Sequence, residues 1–293
     1  MEKLREKLAI KNELAKALLG EFLGTAILVL AISSTVSQSV LHSKPNQMVN
    51  INLGVGLGIA FGIAVCARVS GGHINPAVSL MFLTFRQISA VKFALYVLVQ
   101  TLGAFFGALV TYIVYSDAIS TFDGGERQIY GSRATAHIFA SYPAAHLSFF
   151  NGLLDQIVAT AVFCLIIAHT VDKRNNYPTW VQPFVIGTGF VLIGSAFALN
   201  AGYPCNPARD FGPRLFTLIF GYGTGVFGFN NWWIVPIVGP FIGAIVGGWI
   251  YEVLVGFQTP ESSDYQIVAT QNGSELHVIT HQKDKPQTAE LVA

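Results

Sequence analysis

Gly71-Gly72-His73-Ile74-Asn75-Pro76-Ala77 and Gly202-Tyr203-Pro204-Cys205-Asn206-Pro207-Ala208 share the tripeptide Asn-Pro-Ala, each time behind a glycine-bearing turn and between long apolar runs. Asn commonly caps a helix, and Pro at the first helical position has its φ preset and lacks an N–H that would go unpaired there anyway. Each copy therefore reads as a helix start. The segments that follow, about residues 75 to 85 and 206 to 219, are too short to cross a bilayer and read as half-helices. Two helix starts can then face each other at mid-membrane.

The rest of the chain supplies the membrane. Of its 293 residues 52% are apolar and only 11% charged, against about 25% charged in a soluble domain. Six apolar runs are long enough to span, near 17–41, 48–67, 93–115, 149–171, 180–199 and 232–255. Residues 1–16 form a basic arm, 17–257 the membrane domain, and 258–293 a polar tail expected to be disordered or a docking segment. The arm reads as an amphipathic helix on the membrane surface or as a merely solvated start. Twelve of the seventeen Lys and Arg lie on the side of the N-terminal arm when six spans are threaded: Lys3, Arg5, Lys7, Lys11, Lys16, Arg68, Arg86, Lys92, Lys173, Arg174, Lys283 and Lys285. Lys44, Arg127, Arg133, Arg209 and Arg214 fall on the other side, so both termini are expected in the cytoplasm. The sequon at Asn272 would then be cytoplasmic and unmodified. A net charge of +1 gives no nucleic-acid footprint, and Cys66, Cys164 and Cys205 give no disulfide framework.

The chain also repeats itself. Glu21-Phe22-Leu23-Gly24-Thr25-Ala26 aligns with Gln156-Ile157-Val158-Ala159-Thr160-Ala161, and an Asn-Pro-Ala copy follows each at nearly the same distance. Gly103 and Gly107 in the third span mirror Gly243 and Gly247 in the sixth, and Gly20, Gly24, Gly54, Gly58 and Gly62 add further small residues at four-residue spacing. Such spacing lets helix backbones approach closely in lipid. With repeats at about 17–115 and 149–255 and three spans in each, the halves must sit inverted. The predicted fold is an all-α membrane protein of six transmembrane helices plus two re-entrant half-helices in two inverted repeats.

That arrangement has a chemistry. Two opposed helix N-termini put positive dipole ends at mid-membrane, which repels cations, and the Asn75 and Asn206 amides can donate to a passing oxygen. Irregular backbone at such depth is tolerated where it lines a cavity, so Gly71, Gly72, His73, Ile74, Gly202, Pro204 and Cys205 are expected to offer a ladder of carbonyl acceptors. Arg209, on the first turn of the second half-helix, carries a fixed charge and five donors suited to a constriction. Glu21 lies within a span, where an unpaired carboxylate is costly, and is expected to accept hydrogen bonds from the re-entrant loop holding His73; Gln156 would do the same in the second half, while Asp155 would complement the start of the fourth span. Two roles stay open for His73, structural support and a titrating gate beside Glu21. Cys205 is a candidate lumen-lining thiol and mercurial target, whereas Cys66 and Cys164 read as packing residues.

Together, Gly71–Val78, the stretch Asn206-Pro207-Ala208-Arg209-Asp210-Phe211-Gly212-Pro213-Arg214-Leu215-Phe216, and Glu21-Phe22-Leu23-Gly24-Thr25 in inverted repeats resemble the aquaporin superfamily over roughly residues 15–255. Asp210, Arg214 and Pro236-Ile237 are similar to the glycerol-conducting branch, and residues 136–144 to the outer loop of animal aquaglyceroporins, with Ser141 where Thr is more usual. The resemblance implies a passive channel for glycerol, water and urea or other small neutral solutes, as a homotetramer in the plasma membrane, with membrane lipid as surroundings and no cofactor. It implies an outer filter of Val55, Gly194, Tyr203 and Arg209. Val55 departs from the aromatic residue usual there, which predicts a wider mouth. The competing readings are a water-only pore, opposed by Asp210 and Gly194, and an ion-coupled transporter, opposed by neutral amides at the midplane. An intramembrane enzyme would need a nucleophile with a base or a metal cluster, and the sequence offers no such constellation.

Overall fold

The computed structural model describes residues 1–42 and 48–260, together with the backbone of two strands in the tail. Helices α1 (Glu2–Leu8), α2 (Glu13–Leu41), α3 (Met48–Ser70), α4 (Pro76–Thr84), α5 (Ala90–Asp123), α6 (Phe149–Val171), α7 (Gln182–Ala201), α8 (Pro207–Thr217) and α9 (Val235–Leu254) follow in chain order. Six of them, α2, α3, α5, α6, α7 and the stretch Trp232–Gln258 around α9, are long and apolar enough to cross a membrane. Their starts are chemically marked. Asn12, Ser89 and Ser148 each accept a backbone N–H at the head of α2, α5 and α6. Exposed Leu102, Ile113, Val114, Leu192 and Ile250 give the outer faces an apolar coat, as a lipid solvent requires.

Packing follows the internal repeat. In the first half α2 lies against α5 and α3, in the second α6 lies against α9 and α7, and each half-helix crosses to the other half, α4 onto α9 and α8 onto α5. The aligned residues meet in the same pairs. A Cβ on Gly103 would strike the Phe22 carbonyl and one on Gly107 the Ala26 carbonyl; a Cβ on Gly243 would strike the Ile157 carbonyl and one on Gly247 the Ala161 carbonyl. These glycines bring α2 to α5 and α6 to α9 at backbone contact, as small residues do in lipid.

Several boundaries differ from the sequence reading. The N-terminal arm is a short helix, α1, followed by α2 from Glu13, so a boundary at residue 16 falls inside a helix; Asn12 stops the chain three residues earlier by capping it at 3.0 Å. Helix α5 has 34 residues, about 50 Å at 1.5 Å per residue, and so rises well clear of a bilayer core. Ile119 and Asp123 on its last turns are buried, and Gly124 (φ 74°) ends it in the left-handed region. After α8 the chain passes into a π turn, Leu218–Tyr222, that breaks at Phe220 and Gly221. The tail carries an antiparallel hairpin, β1 (Tyr265–Ala269) with β2 (Leu276–Thr280), in which Tyr265 faces Thr280 and Ala269 faces Leu276. Two β-branched runs flanking Asn272-Gly273 are the sequence signal for it. Lys44, the Asn272 sequon, Lys283 and Lys285 lie outside the described residues.

The loop between α5 and α6 folds inward. Ala136, Ile138 and Phe139 are buried, and Phe139 packs against Phe216 of α8 with tilted rings whose centroids are 5.1 Å apart. This apolar anchor sets the loop beside the second half-helix.

Candidate pore

Asn75 and Asn206 tie the two half-helices together. The Oδ1 of Asn75 accepts from Ala77 N at 2.9 Å, and that of Asn206 accepts from Ala208 N at 3.0 Å and Arg209 N at 3.2 Å, so each caps its own helix. Each Nδ2 then donates across the junction, Asn75 to the Cys205 carbonyl and Asn206 to the Ile74 carbonyl, both at 2.9 Å. The N-termini of α4 and α8 are thus fixed head to head with their positive dipole ends together. A carboxamide has two N–H groups, so one on each Asn is left for a passing oxygen. The carbonyls of Ile74 and Cys205, expected as free rungs of the ladder, instead take the cross-ties. Those of Gly71, Gly72, His73, Gly202 and Pro204 accept no hydrogen bond from the described residues.

Backbone strain at this junction is held from behind. Ile74 (φ 44°) and Cys205 (φ 47°) are both in the left-handed region, which is costly for any residue with a Cβ and worst for a β-branched one. Glu21, fully buried on α2, accepts from His73 N at 2.9 Å, Ile74 N at 2.6 Å and Gln100 Nε2 at 2.8 Å. Gln156 Oε1 accepts from Cys205 N at 3.3 Å in the matching place. Asp155 does not complement the start of α6. It sits past the first turn and instead accepts from Asn200 Nδ2 at 2.7 Å and Gln156 Nε2 at 2.9 Å, orienting the amide that holds Cys205. His73 is buried, with Nδ1 3.0 Å from Ser79 Oγ and its ring against Phe82 and Tyr96.

Three adjoining spaces, sharing lining residues, run past these groups. One mouth, of about 280 Å³, is lined by Val55, Gly202, Tyr203, Pro204, Phe190 and Arg209. The central passage, of about 70 Å³, shares Phe190, Pro204 and Arg209 with it and continues past Asn206, Asn75 and Gly71–Ile74. The other mouth, of about 960 Å³, shares Gly71, His73 and Phe82 with the passage and opens beside Arg68 and Gln182. One wall of the passage is carbonyl and amide; the other is Ile59, Ile63, Phe163, Ile167 and Phe190. A solute there meets both the polar groups of the re-entrant loops and the apolar side chains of α3, α6 and α7.

The Tyr203-side mouth is the most constrained. Arg209 Nη1 donates to the Phe139 carbonyl at 3.1 Å, and Arg209 makes no ion pair among the described residues. Its charge is therefore left for the lumen. The loop that supplies this carbonyl is clamped two residues on: Asp210 Oδ2 accepts from Ser141 N at 2.7 Å and Ser141 Oγ at 2.6 Å, while Arg214 Nε and Nη2 both lie 2.9 Å from Asp210 Oδ1. Arg214 also donates to the Ser141 carbonyl at 2.6 Å and the Val226 carbonyl at 2.7 Å. The pair is essentially inaccessible, at 1% exposure for each side chain, and its hydrogen bonds are what make burying two charges tolerable.

Two sequence-predicted positions sit elsewhere than expected. Gly194 does not line the lumen; a Cβ there would lie 2.5 Å from Asn52 Oδ1 and 2.7 Å from Tyr203 Cζ, so the glycine makes room for those two side chains. Cys205 turns its thiol into the apolar core with 0% exposure, beside Thr160, and lines none of the three spaces. The left-handed turn at this residue sends its carbonyl to Asn75 and its side chain away from the lumen. Asn52, Phe139, Phe190 and Gln100 were not singled out from sequence, since each acts through a partner far along the chain. Among the described residues, no three His, Cys, Asp or Glu side chains are grouped to hold a metal ion.

The chain matches the family model for Major intrinsic protein over residues 9–251. It is 41% identical to human Aquaporin-9 over 260 residues, covering 88% of each chain, and 39% identical to human Aquaporin-10 over 260 residues, covering 88% of this chain and 86% of that one. Among solved structures, the X-ray structure of the aquaglyceroporin from Plasmodium falciparum matches with a TM-score of 0.76 and 28% identity, covering 83% of this chain and 98% of that one. With paired Asn-Pro-Ala helix starts, two internally matched halves and a file of cavities between them, the chain belongs to the major intrinsic protein family.

Proposed function

We propose that this protein is a passive channel for water and glycerol, and for urea and other small neutral solutes, that excludes ions and protons. The observation that carries the reading is the head-to-head junction of α4 and α8 inside a lumen lined by both polar loop groups and apolar helix side chains. A glycerol molecule has hydroxyls along one edge and C–H groups along the other, and this wall pattern matches both. At the junction a water can accept from the two Asn amides at once, which points its own hydrogens away from them and breaks the chain along which a proton would hop. The two positive helix ends and the unpaired Arg209 add an electrostatic barrier to cations, the general logic of aquaporin-type selectivity. Asn75 and Asn206, with Pro76, Ala77, Pro207 and Ala208 shaping their helices, form the junction; Gly71, Gly72, His73, Gly202 and Pro204 supply acceptors; Val55, Tyr203 and Arg209 form the filter. Val55 is a small apolar residue at the Tyr203-side mouth, which favours admission of urea and larger polyols.

The names of the relatives support the same class, one of them being an aquaglyceroporin. Residence in the plasma membrane, cytoplasmic termini and homotetrameric assembly complete the proposal, the orientation resting on the Lys and Arg count. Radiolabelled glycerol uptake into proteoliposomes tests the mechanism class. Uptake should equilibrate without accumulating and ignore imposed sodium or proton gradients; accumulation driven by either gradient would replace the channel with a coupled transporter.

A further inference from the structure

At the Tyr203-side mouth, one residue outside the expected filter controls a residue within it. Asn52, on α3 and only 3% exposed, accepts the Tyr203 hydroxyl on Oδ1 at 2.5 Å and donates through Nδ2 to Ser195 Oγ on α7 at 3.3 Å. Ser195 Oγ in turn donates to the Val191 carbonyl at 2.9 Å. The chain of donors thus runs from the filter tyrosine through Asn52 and Ser195 into the backbone of α7. On its other side the Tyr203 ring rests on Phe190, with centroids 5.5 Å apart. Gly194 leaves the space in which this bond forms, since any Cβ there would overlap both partners.

We infer that Asn52 is a specificity-determining positioning residue: by taking up the Tyr203 hydroxyl, it holds the ring against Phe190 and keeps that hydroxyl out of the constriction beside Arg209. The inference rests on the channel reading above. Its physical basis is that a half-buried phenol O–H needs an acceptor, and Tyr203 lines the mouth, where water can supply one once Asn52 is gone. A hydroxyl turned into the lumen narrows the mouth and competes with the solute for Arg209. Glycerol, the wider solute, suffers more than water.

The test is the ratio of glycerol to water permeability in proteoliposomes, read by stopped-flow light scattering on monodisperse protein. Asn52→Leu, similar in size but with no acceptor, should lower that ratio about fivefold, the factor one net hydrogen bond commands. Gly194→Ala, which displaces the same pair by volume, should shift it the same way. In a Tyr203→Phe background, with no hydroxyl to redirect, Asn52→Leu should leave the ratio unchanged. An unchanged ratio in Asn52→Leu, or an equal fall in the Tyr203→Phe background, would overturn the inference, because the effect would then be absent or a matter of packing alone. Asn52→Ala, read identically, serves if the leucine variant does not yield folded protein. Wild-type protein that passes neither solute would instead defeat the channel reading.

Discussion

Asp210→Ala removes the centre of the clamp that holds the Phe139 carbonyl over Arg209. Breaking a buried ion pair by deleting one partner costs about 3–5 kcal/mol, because the other charge is left without compensation. Here that charge is Arg214, at 1% exposure, which would keep the carbonyls of Ser141 and Val226 and the face of the Tyr142 ring but no counter-charge. The two Ser141 donors lose their acceptor as well, but Ser141 borders the mouth, where water can replace the carboxylate, so the estimate stays near the pair's own value. For a chain of this size the loss corresponds to a fall in melting temperature of roughly 6–20 °C. The functional consequence follows from spacing: Ser141 and Phe139 lie on one turn of buried loop, so releasing the first loosens the acceptor that orients Arg209. Purified protein would be assayed for thermal unfolding in detergent and for glycerol flux in proteoliposomes, with Arg214→Met and the double variant completing a cycle. The double variant should lose less than the two single losses added, since removing the second partner also removes the uncompensated charge. Wild-type melting temperature and flux in Asp210→Ala, or strict additivity in the cycle, would refute the clamp.

Glu21→Ala leaves the buried His73 and Ile74 N–H groups without an acceptor at about 1–3 kcal/mol each and strips Gln100 Nε2 of one of its two, a sum that approaches the lower end of a typical domain's stability, so recovery of folded protein should fall; Glu21→Gln keeps part of the acceptor set and should fold with a lowered melting temperature, and normal recovery of the alanine variant would contradict the assignment. Cys205 should resist a bulky mercurial in the folded channel and react only after denaturation; rapid labelling with block of flux would mean that its thiol reaches the lumen. In the connection between α6 and α7, burial pushes the Asp172 carboxyl up, but the Arg174 guanidinium at 2.7 Å and the Tyr251 hydroxyl at 2.7 Å outweigh it and hold it below the usual carboxylate range. A carboxyl held low contributes stability that is present above its ordinary range and lost as pH falls through the depressed value. Asp172→Asn should therefore be less stable than wild type at neutral pH, with the gap closing below about pH 4; a gap independent of pH would rule this out.

The legible parts of this molecule were those encoded locally. Asn before Pro marked the start of both half-helices to within a residue, and the capping bonds to Ala77 and Ala208 show why. The four-residue glycine spacing marked where helices approach, and the repeat matched Gly103 with Gly243; each lies opposite a backbone carbonyl, Phe22 and Ile157 respectively, as close helix contact in lipid requires. Glu21 was readable because a carboxylate in an apolar run must be satisfied by something nearby. What escaped depends on distant partners or irregular backbone. Tyr203 and Asn52 are separated by 151 positions, and Asp210 and Ser141 by 69, with no periodic pattern joining them. The direction of Cys205 was misread since a left-handed residue in a loop obeys neither helical nor strand periodicity. Helix α5 outran its apolar core because its last turns bury Ile119 and Asp123 against the folded-in loop rather than in lipid.

The most direct measurement is stopped-flow light scattering on proteoliposomes challenged in turn with sucrose and glycerol gradients, alongside an Asn206→Asp variant as a junction control. Fast shrinkage under sucrose and fast re-swelling under glycerol, both at least about tenfold above empty liposomes and both reduced in the variant, are predicted. Rapid water relaxation with glycerol movement no faster than through lipid would contradict the glycerol pathway, and relaxation no faster than lipid under either gradient would contradict the pore itself.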